Sequence, residues 1–345
     1  MNYPNNFSSI HIELTDKCQA SCPMCARNYN GGEARPFVGK NEISLEKFKQ
    51  WMNPQTLQRL DHFYACGNYG DPIIAQDCLE IMEYVRQYSN AKIGIHTNGS
   101  ARTIQWWSNL AKVLKDNHEV VFGIDGFADS HVLYRRGTDW HKIIENAKSF
   151  INNGGTATID CLVFKHNENE LKDFEEQMLT IGFKSINFKS TQRFYDMNNF
   201  PVLNKKGEFE YNLEPATIQP YKKISMLKLE DIQKDLTIWD KIVTVSKIEP
   251  KCKLKNEIYI DCVGNVVPCC WVGSDILEEP LKVNSAIHDL RNKLVENTKT
   301  NFNSFSKLNL NNYSLDDIVN DEVWNLTTDF KQKPWICVKN CANLH

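Results

Sequence analysis

Short apolar segments alternate with longer amphipathic segments over the first part of the chain. Six apolar, β-rich runs occur at residues 9–15, 62–67, 92–97, 119–125, 156–164 and 185–190. Between them, apolar residues recur at the i, i+3, i+4 and i+7 spacing of amphipathic helices, at residues 44–52, 78–88, 103–116, 140–151 and 170–181. Strands that alternate with helices predict parallel βαβ units. Six units are too few for a closed eightfold barrel, so the pattern predicts an α/β fold with an open, TIM-like partial (β/α)6 barrel.

The regular alternation ends after this region. Residues 191–250 hold many turn formers, with a β-hairpin predicted at Lys206–Gly207. A second hairpin is predicted at Val263–Gly264, between the β-rich runs EIYID and NVVPCC. We therefore expect a barrel core at residues 1–190, a connecting region, and a C-terminal extension at residues 251–345 built from a β-hairpin plus helix.

Composition narrows the class of protein. The chain has 345 residues, of which 24% are charged, and a formal net charge of -3. It lacks the basic excess of a nucleic-acid-binding protein and any apolar run of membrane-spanning length. The first ten residues, MNYPNNFSSI, have neither the basic nor the apolar region of a secretory signal. The sequence therefore predicts a cytoplasmic protein with no nucleic-acid or membrane partner, in a compartment that keeps thiols reduced.

The twelve cysteines are distributed unevenly. In a reducing compartment, this number favours metal sites, clusters or catalysis over disulfides. We interpret the three scattered ones as small buried apolar side chains: Cys66, Cys78 and Cys161. Cys66 has a second interpretation, as a hydrogen donor beside the turn that follows the second strand. The other nine cysteines form one group near the N-terminus and one beyond residue 250.

The N-terminal group has the spacing C-x3-C-x2-C and comprises Cys18, Cys22 and Cys25. A structural zinc site needs four ligands, and the one nearby histidine, His11, lies within the first predicted strand. A [4Fe–4S] cluster has four irons, so three thiolates leave one iron with an open coordination position. The loop also follows the first strand, at the end of a β/α barrel where chemistry is carried out.

These three cysteines resemble the signature of the radical SAM superfamily, and further motifs occur at the expected strand ends. After the second strand, Gly70, Asp71 and Pro72 match the family's Gly-Glu-Pro motif, with Asp in place of the usual Glu. The resemblance implies that this motif holds the amino group of S-adenosylmethionine (SAM). After the third strand, Thr97 and Asn98 resemble the family's turn near the ribose and carboxylate of SAM.

The segment after the fourth strand, GIDGFADSHVLYRRG, resembles the family's Ser-x-Asp-Gly motif with a following His and Arg. Gly123 stands where Ser is usual, and Asp125 is a candidate cofactor contact. Arg135 and Arg136 are candidates for a bidentate pair with the SAM carboxylate, and a solvated helix face is the alternative for each. Met24 precedes the third cysteine, where the family often has an aromatic residue, and its polarizable sulfur suits packing on adenine.

The resemblance implies the following chemistry. The open iron binds the amino and carboxylate groups of SAM, and the reduced cluster passes one electron to the sulfonium. The bond to the 5′ carbon breaks homolytically, and the 5′-deoxyadenosyl radical takes a hydrogen atom from a substrate. The protein orients the cofactor and excludes water and oxygen. An electron donor such as flavodoxin or ferredoxin is implied, and no catalytic side chain is assigned.

The C-terminal cysteines resemble a second motif of one radical SAM branch. Cys252, Gly264 and Cys269 have the C-x11-G-x4-C spacing that opens a SPASM/Twitch extension, and Cys337 and Cys341 supply a C-x3-C pair. A full SPASM extension needs more cysteines for its two clusters. The resemblance therefore implies a Twitch extension with one auxiliary [4Fe–4S] cluster held by Cys252, Cys269, Cys337 and Cys341.

Several alternatives stay open from the sequence. Cys270 can replace Cys269, Cys262 is either structural or a spare ligand, and a four-cysteine zinc site can replace the auxiliary cluster. The branch implies a peptide or protein substrate first and a small molecule second. A non-catalytic module with two zinc sites is the rival class. Asn187 and Lys189 lie on the sixth strand, and alternation alone does not decide whether they face the barrel interior.

Overall fold

The structure is a computed structural model that describes residues 7–115, 118–191, 193–194, 198–220, 247–277, 306–322, 324, 337 and 341–343. Six strands occupy the first part of the chain: β1 (Ser9–Ile12), β2 (His62–Ala65), β3 (Lys92–Thr97), β4 (Glu119–Gly123), β5 (Ala157–Val163) and β6 (Ile186–Ser190). The helices between them are α1 (Leu45–Trp51), α2 (Pro54–Gln58), α3 (Cys78–Tyr88), α4 (Ile104–Val113), α5 (Ala128–Tyr134), α6 (Trp140–Asn152) and α7 (Leu171–Ile181). The predicted alternation of strands and helices is therefore confirmed.

The six strands pair in chain order, each parallel to the next, as the predicted partial barrel requires. Two further strands, β10 (Glu257–Ile260) and β11 (Val266–Val267), extend this sheet to eight strands. They form the hairpin predicted at Val263–Gly264, with Gly264 at a φ of 91° that favours glycine. β10 lies parallel to β1, with Ser9 opposite Glu257. The C-terminal hairpin thus continues the barrel sheet, which the sequence pattern does not predict.

Strand alternation separates an apolar outer face from a polar inner face. On β1, Ile10 and Ile12 are fully buried in the main core, while His11 between them contacts the rings of Tyr64 and Tyr259. Because successive side chains point to opposite faces of a strand, the apolar set packs under the helices and the intervening polar set faces the barrel interior. The core therefore lies between the sheet and the helix layer.

The rest of the described chain forms shorter elements. A hairpin of β7 (Phe200–Leu203) and β8 (Phe209–Leu213) follows the barrel, with the predicted turn at Gly207. In the C-terminal extension, β9 (Lys247–Ile248) pairs with β12 (Ala342–Asn343), and the helices are α8 (Lys251–Leu254), α9 (Cys270–Leu277) and α10 (Leu315–Asn320). No helix among the described residues has the length and apolarity to cross a membrane.

The structure also differs from the sequence expectations. β1 ends at Ile12 instead of residue 15, because the chain turns there into the cysteine loop and Thr15 pairs with Glu42 across an isolated bridge. α5 is not predicted by apolar periodicity, since its buried face carries mainly polar side chains. The last residue of the predicted helix 103–116 and much of the connecting region lie outside the described residues. The three-segment division of the chain stays a prediction.

Helix α4 allows a matched test of the core. Leu110 is 0% exposed and Ile104, an isomer on the same helix, is 56% exposed. We expect Leu110→Ala to lower the free energy of unfolding by about 2–5 kcal/mol, because it removes buried methyl groups and leaves a cavity. Ile104→Ala should change that free energy by about 0.5 kcal/mol or less. Denaturant unfolding measures both, and equal effects would contradict this assignment of the core face.

Candidate active site

The three N-terminal cysteines lie on one loop that begins where β1 ends. The loop is pinned at several points: the Cys25 amide donates to the Cys22 carbonyl at 2.9 Å, and the Ser21 amide donates to the Arg136 carbonyl at 2.7 Å. The Asn28 side chain donates to the same Cys22 carbonyl at 3.1 Å. All three thiols are free and partly exposed. The structure therefore fixes the loop that carries the predicted triplet at the carboxyl end of the barrel.

The donor set of this loop fits an iron–sulfur cluster. Burial raises the pKa of the Cys22 thiol to about 11, although the Arg135 guanidinium opposes the shift. Burial and the neighbouring Asp71 carboxylate likewise raise the pKa of Cys18. Soft thiolates bind iron in such clusters, and coordination deprotonates the thiol outright. Among the described residues, no three His, Cys, Asp or Glu side chains are grouped as ligands of one metal ion.

The Asp71 carboxylate connects the ends of β2 and β3. One of its oxygens accepts from the Thr97 hydroxyl at 2.7 Å and from the Ile73 amide at 3.2 Å. The other accepts from the Asn98 amide at 2.7 Å. Burial raises the pKa of Asp71, and these hydrogen bonds oppose the shift. The side chain therefore holds the two predicted SAM-binding motifs against each other, which the motif match does not predict.

The residues before Asp71 form a tight turn, here called the Gly67–Asp71 turn. A Cβ atom at Gly70 would collide with the Thr15 carbonyl, so only glycine fits at that position. The Asp71 amide donates to the Lys17 carbonyl at 2.9 Å. This turn therefore packs directly against the chain that enters the cysteine loop. Pro72 follows as the first residue of a short 3-10 turn.

Asn98 links the same region to the cysteines. Its side-chain amide donates to the Cys18 sulfur at 3.6 Å, and its carbonyl oxygen accepts from the Gln19 side chain at 2.6 Å. The Ser100 amide also donates to that oxygen at 3.0 Å, which fixes the orientation of the side chain. The cysteine loop, the Gly67–Asp71 turn and the turn after β3 are thus one hydrogen-bonded unit.

Asp125 and Arg135 form an ion pair at the end of β4, with Nε at 2.6 Å from Oδ2. The other Asp125 oxygen accepts from the Leu162 amide at 2.6 Å. A Cβ at Gly123 would lie 2.7 Å from the Arg135 guanidinium. The glycine that replaces the family's usual Ser therefore leaves room for this guanidinium, which lies close enough to Cys22 to influence its pKa.

The neighbouring Arg136 has a different environment. Its guanidinium donates to the Leu203 carbonyl at 2.6 Å and forms an ion pair with Glu210. Both partners belong to the β7–β8 hairpin. Arg136 therefore connects the cysteine side of the barrel to that hairpin, whereas Arg135 lies beside Asp125.

Met24 is buried in a second apolar cluster, which includes residues from the hairpin and from the barrel mouth. The other buried members are Tyr134, Phe164, Phe194, Phe200, Val202 and Leu213. The Arg193 guanidinium donates to the Met24 carbonyl at 2.8 Å. This cluster covers one side of the cysteine loop and limits the access of water to Cys22, which packs against it.

Of the four predicted C-terminal ligands, Cys252 and Cys269 form a hydrogen bond, and Cys337 and Cys341 lie near enough to influence the pKa of Cys252. The hydrogen bond from Cys252 to Cys269 and burial are the main causes that raise the pKa of Cys252, and the charges of Cys337 and Cys341 add to the shift. The backbone also brings the ends together, because the Glu249 amide donates to the Cys341 carbonyl at 3.0 Å. The fold therefore places Cys341 in the same region as Cys252 and Cys269, and the ligand role of the four cysteines stays a prediction.

The two alternative cysteines have other neighbours. Burial raises the pKa of Cys270, and the charges of Cys269 and Cys66 add to the shift. The Cys270 carbonyl accepts from the Asn68 side chain at 2.9 Å. Burial and the nearby Glu13 carboxylate raise the pKa of Cys262. Cys270 therefore lies close to Cys66, which follows β2, as well as to its neighbour in sequence, Cys269.

The barrel interior also holds a polar cluster. The Asp160 carboxylate accepts from the Lys189 ammonium at 2.6 Å and from the Asn187 amide at 3.1 Å. The His96 ring nitrogen lies 3.8 Å from Asp160 and its ring packs edge-on against Tyr64. The alternation TIDCL could have indicated Asp160, since the carboxylate lies between buried apolar residues. Lys189 and Asn187, candidates from the sequence, both reach this cluster.

Glu13 belongs to none of the sequence motifs above. It directly follows β1 and is 1% exposed, so it is a buried carboxyl group near the candidate site. One carboxylate oxygen accepts from the Tyr69 and Gly70 amides at 2.7 and 2.8 Å, and the other accepts from the Tyr259 hydroxyl at 2.6 Å. Burial raises the pKa of Glu13 to about 7, while these hydrogen bonds oppose the shift. In the segment SIHIELT, apolar residues alternate with polar ones, and Glu13 is at a polar position. This alternation indicates that its side chain faces away from the apolar core.

Comparison with known proteins agrees with this geometry. Residues 12–178 match the sequence model described as Radical SAM superfamily, a little under half of the chain. A search of curated proteins found no match. The sheet topology and the position of the cysteine loop agree with the family match. Residues 12–178 therefore form a radical SAM domain.

Solved structures support the same fold. The chain is 15% identical to anSMEcpe in its complex with AdoMet and Cp18Cys peptide, over 92% of this chain and 81% of that one, with a TM-score of 0.51. Streptococcus suis SuiB is 13% identical over 93% and 67% of the two chains, with a TM-score of 0.51. In the SAM-bound SuiB structure, the match spans 61% of the SuiB chain. At this identity, the likeness establishes the fold alone.

The raised pKa of Glu13 predicts a pH dependence of stability. Its ordinary pKa is near 4.5, and the folded value is about 7. Between these values the folded state binds more protons than the unfolded state, so stability falls as the pH rises. We expect the free energy of unfolding of wild type, relative to Glu13→Gln, to fall by about 3 kcal/mol from pH 4.5 to 7.5. Denaturant unfolding across this range measures the difference, and a constant difference would refute the prediction.

Proposed function

We propose that the chain is an enzyme that binds a [4Fe–4S] cluster through Cys18, Cys22 and Cys25 and uses SAM to take a hydrogen atom from an organic substrate. The observation that carries this proposal is the hydrogen bond from Asn98 to Cys18, in a unit that also contains Asp71. The cluster supplies one electron for cleavage of SAM, and the cofactor supplies the radical that abstracts hydrogen. The chain's own residues bind, orient and shield these groups.

Each part of the site has a proposed task. Gly70, Asp71, Pro72, Thr97 and Asn98 shape the cofactor side, with Asp71 fixing the two turns through its hydrogen bonds. Because its carboxylate oxygens are engaged by chain donors, the backbone of the Gly67–Asp71 turn is better placed than the carboxylate to receive an amino group. The oriented backbone dipoles then recognise the cofactor without a further charge.

Arg135 and Asp125 are proposed to act together near the cofactor. Asp125 fixes the guanidinium in place, and the remaining guanidinium donors suit a carboxylate such as that of SAM. Arg136 is instead proposed to fasten the β7–β8 hairpin, since Leu203 and Glu210 occupy its guanidinium. Met24 and its apolar neighbours exclude water from one side of the cysteine loop.

We further propose that Cys252, Cys269, Cys337 and Cys341 hold one auxiliary [4Fe–4S] cluster, as in a Twitch-type extension. The hydrogen bond between Cys252 and Cys269, and the influence of Cys337 and Cys341 on the pKa of Cys252, support this assignment. Four protein ligands leave no iron open, so such a group suits electron transfer rather than substrate binding. A flavodoxin- or ferredoxin-like donor would supply electrons, and the need for reduced thiols agrees with a cytoplasmic location.

The proposed substrate is a peptide or protein, with a small molecule as the alternative. The peptide-bound complex of anSMEcpe, a protein of similar fold, supports the first class. The polar cluster of Asp160, Lys189 and His96 offers hydrogen-bond donors and acceptors to a polar group inside the barrel. Peptide amides contain both a donor and an acceptor and suit such a surface.

A cysteine pair tests the N-terminal site. After anaerobic reconstitution, Cys22→Ala should lose about four irons relative to wild type and form no 5′-deoxyadenosine from SAM under reducing conditions. The matched control is Cys78→Ala, which removes a thiol buried in α3. It should retain the iron and the SAM cleavage of wild type. Colourless wild-type protein that contains zinc would refute the proposal and favour the zinc-binding module.

A second cysteine pair tests the auxiliary site. Cys337→Ala should lower the iron content from about eight to about four per chain, while cleavage of SAM continues and substrate product is lost. Cys270→Ala is the control, because its main-chain hydrogen bond to Asn68 does not need the thiol. If Cys270→Ala loses four irons and Cys269→Ala does not, the assignment of Cys269 is wrong.

A further inference from the structure

The C-terminal hairpin reaches the Gly67–Asp71 turn through one buried hydrogen-bond chain. Tyr259, on β10, is 1% exposed, and its hydroxyl donates to Glu13 at 2.6 Å. Glu13 in turn accepts the amides of Tyr69 and Gly70. β10 is paired with β1, and Glu13 directly follows β1, so strand pairing brings the tyrosine next to the glutamate. Tyr259, which is distant from the turn in sequence, therefore holds the carboxyl group to which the amides of the turn donate.

A second contact reinforces this chain. The Asn68 side-chain amide, within the turn, donates to the Tyr259 hydroxyl at 3.3 Å and to the Cys270 carbonyl at 2.9 Å. Tyr259 therefore accepts from the turn and donates to the glutamate beneath it. Cys270 begins helix α9, directly after the proposed ligand Cys269. The turn is thus connected to both the hairpin and the C-terminal cysteine segment.

The turn packs closely against this support. A Cβ at Gly67 would collide with the Gly70 carbonyl and lie 2.8 Å from the Glu13 carboxylate, and a Cβ at Gly70 would collide with the Thr15 carbonyl. The backbone is therefore packed against Glu13 on one side and against the start of the cysteine loop on another. In such a close-packed setting, loss of one hydrogen bond is transmitted as a shift of the turn.

We propose that Tyr259 is a positioning residue of the SAM site: its hydroxyl holds Glu13, which holds the Tyr69 and Gly70 amides and so fixes the turn that receives the amino group of SAM. This inference rests on the proposed function for the identity of the ligand. We call the hydrogen bonds that join Tyr259 to Glu13, and Glu13 to the Tyr69 and Gly70 amides, the brace. The existence of the brace does not depend on the proposed function. On this view, the C-terminal extension completes the cofactor site as well as carrying cysteines of its own.

Hydrogen exchange of the full-length chain tests the brace without SAM. Tyr259→Phe keeps the ring in the core and removes only the hydroxyl. We expect exchange of the Tyr69 and Gly70 amides to accelerate about tenfold, because the variant no longer holds in place the Glu13 carboxyl group that accepts their hydrogen bonds. Tyr211→Phe is the control, since its hydroxyl donates to the Leu133 carbonyl at 2.6 Å and lies on the β7–β8 hairpin. It should leave both amides unchanged.

Kinetics of the reconstituted enzyme test the link to SAM. Tyr259→Phe should raise the KM for SAM in 5′-deoxyadenosine formation about tenfold, while the maximal rate changes less than about threefold. Glu13→Gln should also raise the KM. Because the two residues act through one hydrogen bond, the double variant should have a KM close to that of the worse single variant. Melting temperatures identify any variant that fails to fold.

The outcomes separate the two proposals. Unchanged amide exchange in Tyr259→Phe would overturn the brace, whatever the enzyme does with SAM. Faster exchange with an unchanged KM, or additive effects of Tyr259→Phe and Glu13→Gln, would overturn the positioning role. If wild type neither gains iron nor cleaves SAM, the proposed function fails, and with it the link to SAM, while the exchange result still decides whether Tyr259 braces the turn.

Discussion

The candidate site depends on one constraint: the loops that leave the parallel strands must meet at the carboxyl end of the barrel and satisfy their polar groups there. The Asp71 carboxylate meets this constraint by accepting from Thr97 and from the Asn98 amide. Asn98 then donates to Cys18, so the constraint extends from β2 and β3 to the cysteine loop. Buried carboxylates are retained when such donors surround them, because an unpaired buried charge is strongly unfavourable.

Two parts of the chain outside the six-stranded barrel shield and support this region. The β7–β8 hairpin is attached through Arg136 and packs around Met24, which protects the cysteine loop from one side. The C-terminal hairpin adds two strands beside β1 and brings Tyr259 onto Glu13. The barrel, the covering hairpin and the C-terminal hairpin are therefore joined by specific hydrogen bonds at the site.

Much of the fold and some of the site were predictable from periodicity and spacing. The βα alternation predicted the partial barrel because side-chain period depends on local backbone geometry. The spacing of Cys18, Cys22 and Cys25 predicted a metal site since all three lie on one short loop. Glu13 and Asp160 could be placed on the polar face of their strands, but their partners could not be identified, because those partners come from other strands.

The class of fold, the position of the cysteine loop and the turns that follow the strands can be inferred from local sequence, since each depends on residues close together along the chain. That the hairpin at Val263–Gly264 extends the barrel sheet is visible only in the folded chain. The same holds for the positions of Arg135 beside Asp125 and of Arg136 beside Glu210, and for the contact of Tyr259 with Glu13. Such choices depend on strand order and on the packing of distant segments, which no local pattern encodes.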